Sequence, residues 1–563
     1  MSCRIDLKPL VVLVVVLSLV VLQPQPGAAQ QATPTPPVRP THTPRPTPSP
    51  TPARIGAEIT VDAAAEGVPF SPRMLGNNLP AWLKRQVFEH PVFRARVAAS
   101  GIRMLRIPGG SWSDEYGWLS CETGRDQPGA FPCRFPWAAR PTDFINFLKA
   151  TGIEAMYTVN VNYTAQEAAA LVAFLNSAIT DTTRIGPDIR GTDWYTAGRW
   201  AQLRAAGGNP EPLGIRLWEI GNEVYGGKPV VKGCPRNGWE NTWTCSGEEY
   251  IKGNAEHDGF IKMRAAMLNV DPTIQVGAVG HESSLGRGWA YNVLTHGGQV
   301  MDYYVVHTYP QYYNYGNPRR EIEHILAIPQ RLWPKIKSEA EMAFADAAGG
   351  RPIPIVVNEF GIVPEWGKED FRNYMNKHVA ALFIADSIGQ MIVNRYAMAA
   401  HWNVMNGPSP ELSGRMVNEF GLMFDYERDP KMTRQPKYYV YPLWARFGER
   451  TLPMTSSADP ARELSVYAGR VGANVVSLLV INKSNRPADA QITLKGVRRI
   501  TGGLVDALTA ESADATTAAF NGVAEPKDDL SDASPLPLKG SATDRLSYTF
   551  APYAITLLRL NVQ

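Results

Sequence analysis

The chain has 563 residues, 44% of them hydrophobic and 19% charged, which predicts more than one domain and excludes a small module, a fibre or a largely disordered chain. Fifty-six Lys and Arg against 53 Asp and Glu leave a net charge of +3, too weak a field to recommend nucleic acid or another polyanion as a partner.

Arg4 and Lys8 precede an apolar run from Leu10 to Leu22, broken by Ser18 and followed by the small residues Gly27, Ala28 and Ala29. About 13 apolar residues fall short of the roughly 20 that cross a bilayer, so residues 1–29 are expected to be a secretory signal. An uncleaved N-terminal anchor is the alternative and the only membrane contact expected. The folded part is therefore expected outside the cell, secreted or at its surface. Residues 30–53 are dominated by Thr-Pro and Arg-Pro pairs and read as an extended linker that cannot bury a core. Cys121, Cys133, Cys234 and Cys245 remain beyond the signal. Their even number in an oxidising compartment reads as two disulfides, and the pairs 121–133 and 234–245 are favoured because each closes a short loop. The spacings lack the C-x-x-C pair of a zinc site.

From residue 73 to about 448, short β-rich runs alternate with longer helical patterns. The eight runs are residues 73–79, 102–107, 154–161, 215–220, 274–279, 303–308, 353–358 and 396–403. Helices are expected over 142–150, 165–177, 248–268, 321–347 and 368–388. Eight βα units predict an α/β fold of the (β/α)8 barrel type, with an open doubly wound sheet as the alternative; no glycine-rich phosphate loop follows the first run. After about residue 451 the texture changes to short alternating segments, 464–467, 475–481, 490–494 and 547–560, separated by Gly, Asn, Asp and Pro. This predicts a C-terminal all-β sandwich. The expected organisation is a barrel over 54–450 and a sandwich over 451–563, with the strand-like stretch 58–62 joining the sandwich from the N-terminal side.

In such a barrel the active site lies at the C-terminal ends of the strands. The fourth run ends Leu217-Trp218-Glu219-Ile220-Gly221-Asn222-Glu223, and the seventh ends Ile355-Val356-Val357-Asn358-Glu359-Phe360-Gly361. Two carboxylates so placed face each other across the mouth and can flank a sugar. Glycoside hydrolysis needs such a pair, one acid to protonate the leaving oxygen and one carboxylate to attack the anomeric carbon. Asn418-Glu419-Phe420-Gly421 repeats the second motif but follows a loop-like segment, so Glu359 is preferred.

With these residues the chain resembles the large clan of retaining glycoside hydrolases with a (β/α)8 barrel, whose acid/base follows Asn at the end of strand four and whose nucleophile ends strand seven. The resemblance implies that Glu223 is the acid/base and Glu359 the nucleophile. It implies that Arg106 holds the nucleophile ionised, that Tyr309 donates a hydrogen bond to it, that Asn222 grips a sugar hydroxyl, and that Trp402 offers an aromatic face. His307 is read either as a buttress or as a substrate contact. Asp114 and Glu115 are expected to be solvated residues of the catalytic face. Trp112, Trp118, Trp137, Trp239 and Trp243 stand in long loops, where they stack on sugars or stabilise the loops.

Within the clan, Leu105-Arg106-Ile107-Pro108-Gly109-Gly110, Tyr116-Gly117-Trp118, the fourth-strand motif and the terminal sandwich are most similar to the α-L-arabinofuranosidases. Those enzymes carry a sugar-binding Glu at the end of strand one, where this chain has Gly76-Asn77-Asn78-Leu79; Asn78 is the substrate-binding candidate there. Their nucleophile is followed by Trp, where this chain has Phe360. The alternatives are an endo- or exo-β-glycanase and, from another class, a tethered carbohydrate-binding protein without catalysis. The expected partner is an oligo- or polysaccharide, and two-carboxylate chemistry requires neither cofactor nor metal.

Overall fold

The computed structural model describes residues 54–366, 368–406 and 419–563; the expected signal and linker, and Asn418 of the repeated motif, lie outside them. Among the described residues no helix is long and apolar enough to cross a membrane.

Eight parallel strands close into a barrel: β1 (Gly76–Asn78), β2 (Met104–Ile107), β3 (Glu154–Val159), β4 (Leu217–Ile220), β5 (Gln275–Val279), β6 (Tyr303–Thr308), β7 (Ile355–Phe360) and β8 (Met398–His401), with β8 pairing back onto β1. Every residue of β2, β4, β6, β7 and β8 is buried. Strands covered on both faces read as continuous apolar runs, which is why the eight were visible without alternation. Met104, Met156, Leu217, Tyr303 and Val356 fill the lumen below the mouth, so the barrel is a packed core whose polar residues collect at one end.

Helices Pro141–Thr151, Ala165–Asn176 and Pro318–Ala347 stand close to where the periodicity puts them. Two expected helices differ. The stretch 248–268 is broken into Gly247–Lys252 and Phe260–Val270, because the Asn254 side chain accepts hydrogen bonds from the Glu256 and His257 amides and turns the chain between them. The expected helix over 368–388 begins only at His378 and runs to Val393. Ahead of it, Asp370 Oδ1 accepts from the amides of Arg372 and Asn373, a local pattern that competes with helix.

Two sheets follow the barrel. In one, Ile55–Asp62 lies between Met454–Ser456 and Ala488–Lys495, pairing with the latter in parallel over its whole length, and Arg545–Phe550 forms the far edge. The other is built around Leu464–Val471, Val475–Asn482, Ile555–Val562 and Ile500–Thr509. Ile59, Val61, Leu478, Leu494, Phe550 and Leu558 make the apolar core shared by the two. The expected single segment 547–560 is two strands, interrupted at Ala551-Pro552-Tyr553, where Pro cannot donate to a ladder. A buried ion pair, Lys483 Nζ to Asp386 Oδ2 at 2.6 Å, ties this region to the helix His378–Val393. Both favoured disulfides are present, Cys121–Cys133 and Cys234–Cys245.

Candidate active site

β7 carries the first unusual feature. Its pairing with β6 slips between Val357 and Glu359, so Asn358 is the extra residue of a bulge. In a regular strand neighbouring side chains point to opposite faces, and a bulge re-aims them. Here both neighbours reach into the mouth: Asn358 Nδ2 donates to Glu219 Oε2, while Glu359 accepts from Arg106 Nη1 at 2.6 Å and from Tyr309 OH at 2.7 Å.

Arg106, at the end of β2, is wholly buried and binds four partners. Its Nε donates to Glu219 Oε1 at 2.5 Å, Nη1 to Asn78 Oδ1 and Glu359 Oε1, and Nη2 to Asn222 Oδ1 at 2.7 Å. Burial alone would lower its pKa, but Glu219 and then Glu359 outweigh that and drive it further up, so the cation is permanent. The following turn, Pro108-Gly109-Gly110, holds Gly110 at φ +68°, and a Cβ there would meet the Trp402 ring at 2.3 Å. Glycine is thus what lets the Trp402 indole close over the turn.

Glu223 follows β4 in a left-handed conformation, φ +38° and ψ +38°, which costs a non-glycine residue roughly 1–3 kcal/mol and is found mostly where function fixes the side chain. Its Oε1 receives His307 Nδ1 at 3.0 Å and Tyr225 OH at 3.2 Å, and its Oε2 receives Trp239 Nε1 at 2.7 Å. Burial pushes this carboxyl up, but the hydrogen bond and charge of His307, with the Trp239 and Tyr225 donors, outweigh it and hold Glu223 below the usual carboxylate range. His307 moves the other way: burial lowers it, and Glu359 and Glu223 raise it above the ordinary imidazole value. Each of the two thus favours the charged form of the other, one hydrogen bond apart.

One carboxylate oxygen of Glu223, one of Glu359 and a ring nitrogen of His307 lie within 4.8 Å of one another. That spacing would also admit a metal ion. The fixed Arg106 cation 2.6 Å from Glu359 argues for proton chemistry instead, since a second cation there would be repelled.

Six expected site residues thus converge: Arg106, Asn222, Glu223, His307, Tyr309 and Glu359. Asn78 stands beneath them, fully buried, its amide donating to the carbonyls of Asn358 and His401 while its oxygen accepts from Arg106. Trp402 closes the rim beside Trp82, ring centroids 5.7 Å apart. Asp114, expected in solvent, is fully buried: Oδ1 accepts the Val161 amide and Oδ2 the Asn222 amide, both at 2.9 Å, and burial pushes its pKa up to about 7. Glu115 pairs at the surface with Lys228 and Arg134. Of the loop tryptophans, Trp118 is core, Trp112 stacks on Phe135, Trp243 stacks on His257, and Trp137 and Trp239 are half exposed.

Three residues of the site have no counterpart in the sequence reading. Glu219 is buried at the centre of the Arg106 network, and an acid inside the apolar run 217–220 was the signal for it. Glu240 is buried beside Asn222, accepting from Asn222 Nδ2 at 2.8 Å and Ser111 Oγ at 2.6 Å, and burial with Asp114 and Glu223 nearby pushes its carboxyl well up. Tyr225 stands two residues past Glu223 and bonds to it.

No family model matches the chain. Among curated proteins it is similar to the intracellular exo-α-(1→5)-L-arabinofuranosidase of Halalkalibacterium halodurans, 27% identical over 238 residues that cover 40% of this chain and 39% of that relative. It is also similar to the intracellular exo-α-(1→5)-L-arabinofuranosidase 1 of Bacillus subtilis, 24% identical over 440 residues, 70% of this chain and 75% of the relative. Among solved structures, a family 51 α-L-arabinofuranosidase from Bifidobacterium longum superimposes with a TM-score of 0.65 at 19% identity, covering 90% of this chain and 99% of that one; this likeness is one of fold. The chain thus resembles the α-L-arabinofuranosidases in sequence and architecture. The expected location outside the cell is corrected by the relatives, both of which are named as intracellular enzymes.

Proposed function

We propose that this protein is a retaining glycoside hydrolase that removes α-L-arabinofuranosyl groups, with Glu359 as nucleophile and Glu223 as acid/base. The observation that carries the reading is the approach of the two carboxylates, within 4.8 Å between their nearest ligand oxygens. Inverting enzymes hold the pair roughly 6.5–9.5 Å apart to admit a water, whereas the retaining spacing is roughly 5–5.5 Å.

In this reading Glu359 attacks the anomeric carbon while the leaving oxygen takes a proton from Glu223. His307 Nδ1, 3.0 Å from Glu223 Oε1, steadies the carboxylate that this leaves. The covalent glycosyl-enzyme is then hydrolysed by a water that Glu223 deprotonates. Arg106 and Tyr309 share the charge of Glu359 in the free enzyme and release it to the sugar during attack. Asn222, held at its oxygen by Arg106 and at its nitrogen by Glu240, presents its second amide proton to a sugar hydroxyl.

Hydrolysis of a panel of nitrophenyl glycosides and polysaccharides tests the reading, with Glu223→Ala and Glu359→Ala alongside and proton NMR of the first anomer released. Release of arabinose with retained configuration, cut by about 10³-fold or more by either change, is expected. An inverted first product, or activity that survives both substitutions, refutes the assignment. A second reading, a β-glycanase, is favoured by one observation: Asn78 replaces the strand-one carboxylate of arabinofuranosidases and its amide is spent inside the barrel. Activity confined to a β-glycan polymer would select it, and binding without cleavage would select a carbohydrate-binding protein.

A further inference from the structure

Glu223 leaves one direction open for a leaving group. Oε1 is turned into the barrel, bonded to His307 and Tyr225, so the proton that departs with the leaving oxygen departs from Oε2. The group at Oε2 is the indole of Trp239, half exposed on the rim. A sugar oxygen that reaches Oε2 must take the place of that N–H, and the rest of the leaving group must then lie along the indole.

The loop that brings Trp239 there is built to hold it. Cys234–Cys245 closes the loop, and the amides of Trp239 and Glu240 both donate to Gly226 O, at 2.7 and 2.9 Å. The indole lies so close on Gly226 that a Cβ there would come within 2.8 Å of its six-membered ring, which fixes one face on backbone. Glu240 roots the loop in the site through Ser111 and Asn222. An aromatic ring backed on one face and exposed on the other is a platform for the apolar face of a sugar.

We infer that Trp239, carried by the disulfide-closed loop after β4, forms the leaving-group subsite and binds the saccharide released from the bond that Glu223 protonates. The subsite rests on the glycosidase reading of Glu223 and Glu359. Its ligand class is a neutral furanose or pyranose ring on the leaving side.

The test compares two substrates that share the arabinosyl group and differ in what leaves: an α-1,5-linked arabino-oligosaccharide, and α-L-arabinofuranosyl fluoride, which has no leaving sugar. Trp239→Ala is expected to lower kcat/KM on the oligosaccharide by about ten- to a hundredfold and on the fluoride by less than about threefold. Trp239→Phe, which keeps a ring and removes the N–H, is expected to retain most of the activity on the oligosaccharide, and it carries the test if the Ala variant does not fold. Equal loss on both substrates overturns the inference, because Trp239 would then act on the arabinosyl side or on the fold and not on the leaving group. Loss on neither overturns it too, as does a Phe variant as poor as Ala on the oligosaccharide. A wild-type enzyme inactive on both substrates removes the reading of the carboxylate pair and the subsite with it, an outcome distinct from the selective patterns.

Discussion

Glu219 offers the sharpest test of how the site is held together. It touches no reacting atom, yet both its oxygens are spoken for: Oε1 by Arg106 and by Thr158 Oγ1 at 2.8 Å, Oε2 by Asn358 Nδ2. Glu219→Ala leaves the buried Arg106 cation with one carboxylate fewer and three donors without an acceptor. Breaking a buried pair by removing one partner costs about 3–5 kcal/mol. With unfolding entropy near 2.1 cal/mol/K per residue over roughly 500 folded residues, that corresponds to a fall in Tm of about 3–5 °C. Glu219→Gln should cost less, about 1–2 kcal/mol, because Asn358 Oδ1 is buried without a partner and a flipped Asn358 amide can accept from the new Gln nitrogen. In both variants Arg106 turns more fully onto Glu359 and stabilises its charge, so kcat should fall about tenfold while KM stays near its wild-type value. Denaturant melts with scanning calorimetry give the stability, and steady-state kinetics on an arabinofuranoside give the split. A loss under about 1 kcal/mol for the Ala variant, or a Gln variant as damaged as Ala, would refute the network as described.

Other changes read other parts of the molecule. Glu167 is buried and its carboxyl is pushed up to about 8, burial outweighing the hydrogen bond from the Phe131 amide, so the folded state binds a proton that the unfolded chain releases near pH 4.5. Its contribution is complete below the unfolded pKa and is lost as pH rises through about 8, with a slope of at most ~1.4 kcal/mol per pH unit. Glu167→Gln should therefore match wild type at pH 4 and exceed it increasingly toward pH 8 in urea midpoints; parallel curves would contradict this. Asp386→Ala strands Lys483 in the core and should cost about 3–5 kcal/mol in a denaturant melt, while a loss below about 1 kcal/mol would mean the lysine finds another partner. Replacing Cys234 and Cys245 by Ser removes a cross-link over 11 residues, worth at most about 3 kcal/mol. Its kinetic signature is a larger loss on the oligosaccharide than on the glycosyl fluoride; equal losses would detach the loop from the leaving side.

The barrel was legible because its strands are buried on both faces and announce themselves as apolar runs, and the carboxylate pair because each acid ends such a run. The bulge at Asn358 was not legible: it depends on pairing with β6, and nothing local in Val357-Asn358-Glu359 distinguishes a bulged strand from a regular one. Glu240 lies in an irregular loop whose path is set by a disulfide and by contacts with Ser111 and Asn222, far apart in sequence, so no periodicity marks it. Asp114 shows the same limit from the other side, since an acid in a loop is read as solvated until the folded chain closes over it. The helix breaks at Asn254 and Asp370 were set by side chains bonding to nearby amides, a local competition that hydrophobic periodicity does not register.

The strand Ile55–Asp62 alternates buried and exposed residues and finds its parallel neighbour at Ala488–Lys495. Arg54 and Asp489, which bond at that junction, are separated by 435 residues. At a ribosome adding roughly 5–20 residues per second, an apolar strand edge made early waits about 20 to 90 seconds for its partner to be synthesised. The barrel can begin to close in that interval, but this sheet cannot. The vulnerable species in production of the protein is therefore a nascent chain with an unpaired β-edge, and slowing translation, which would help an ordinary barrel, should here lengthen the exposure to aggregation or to a holding chaperone.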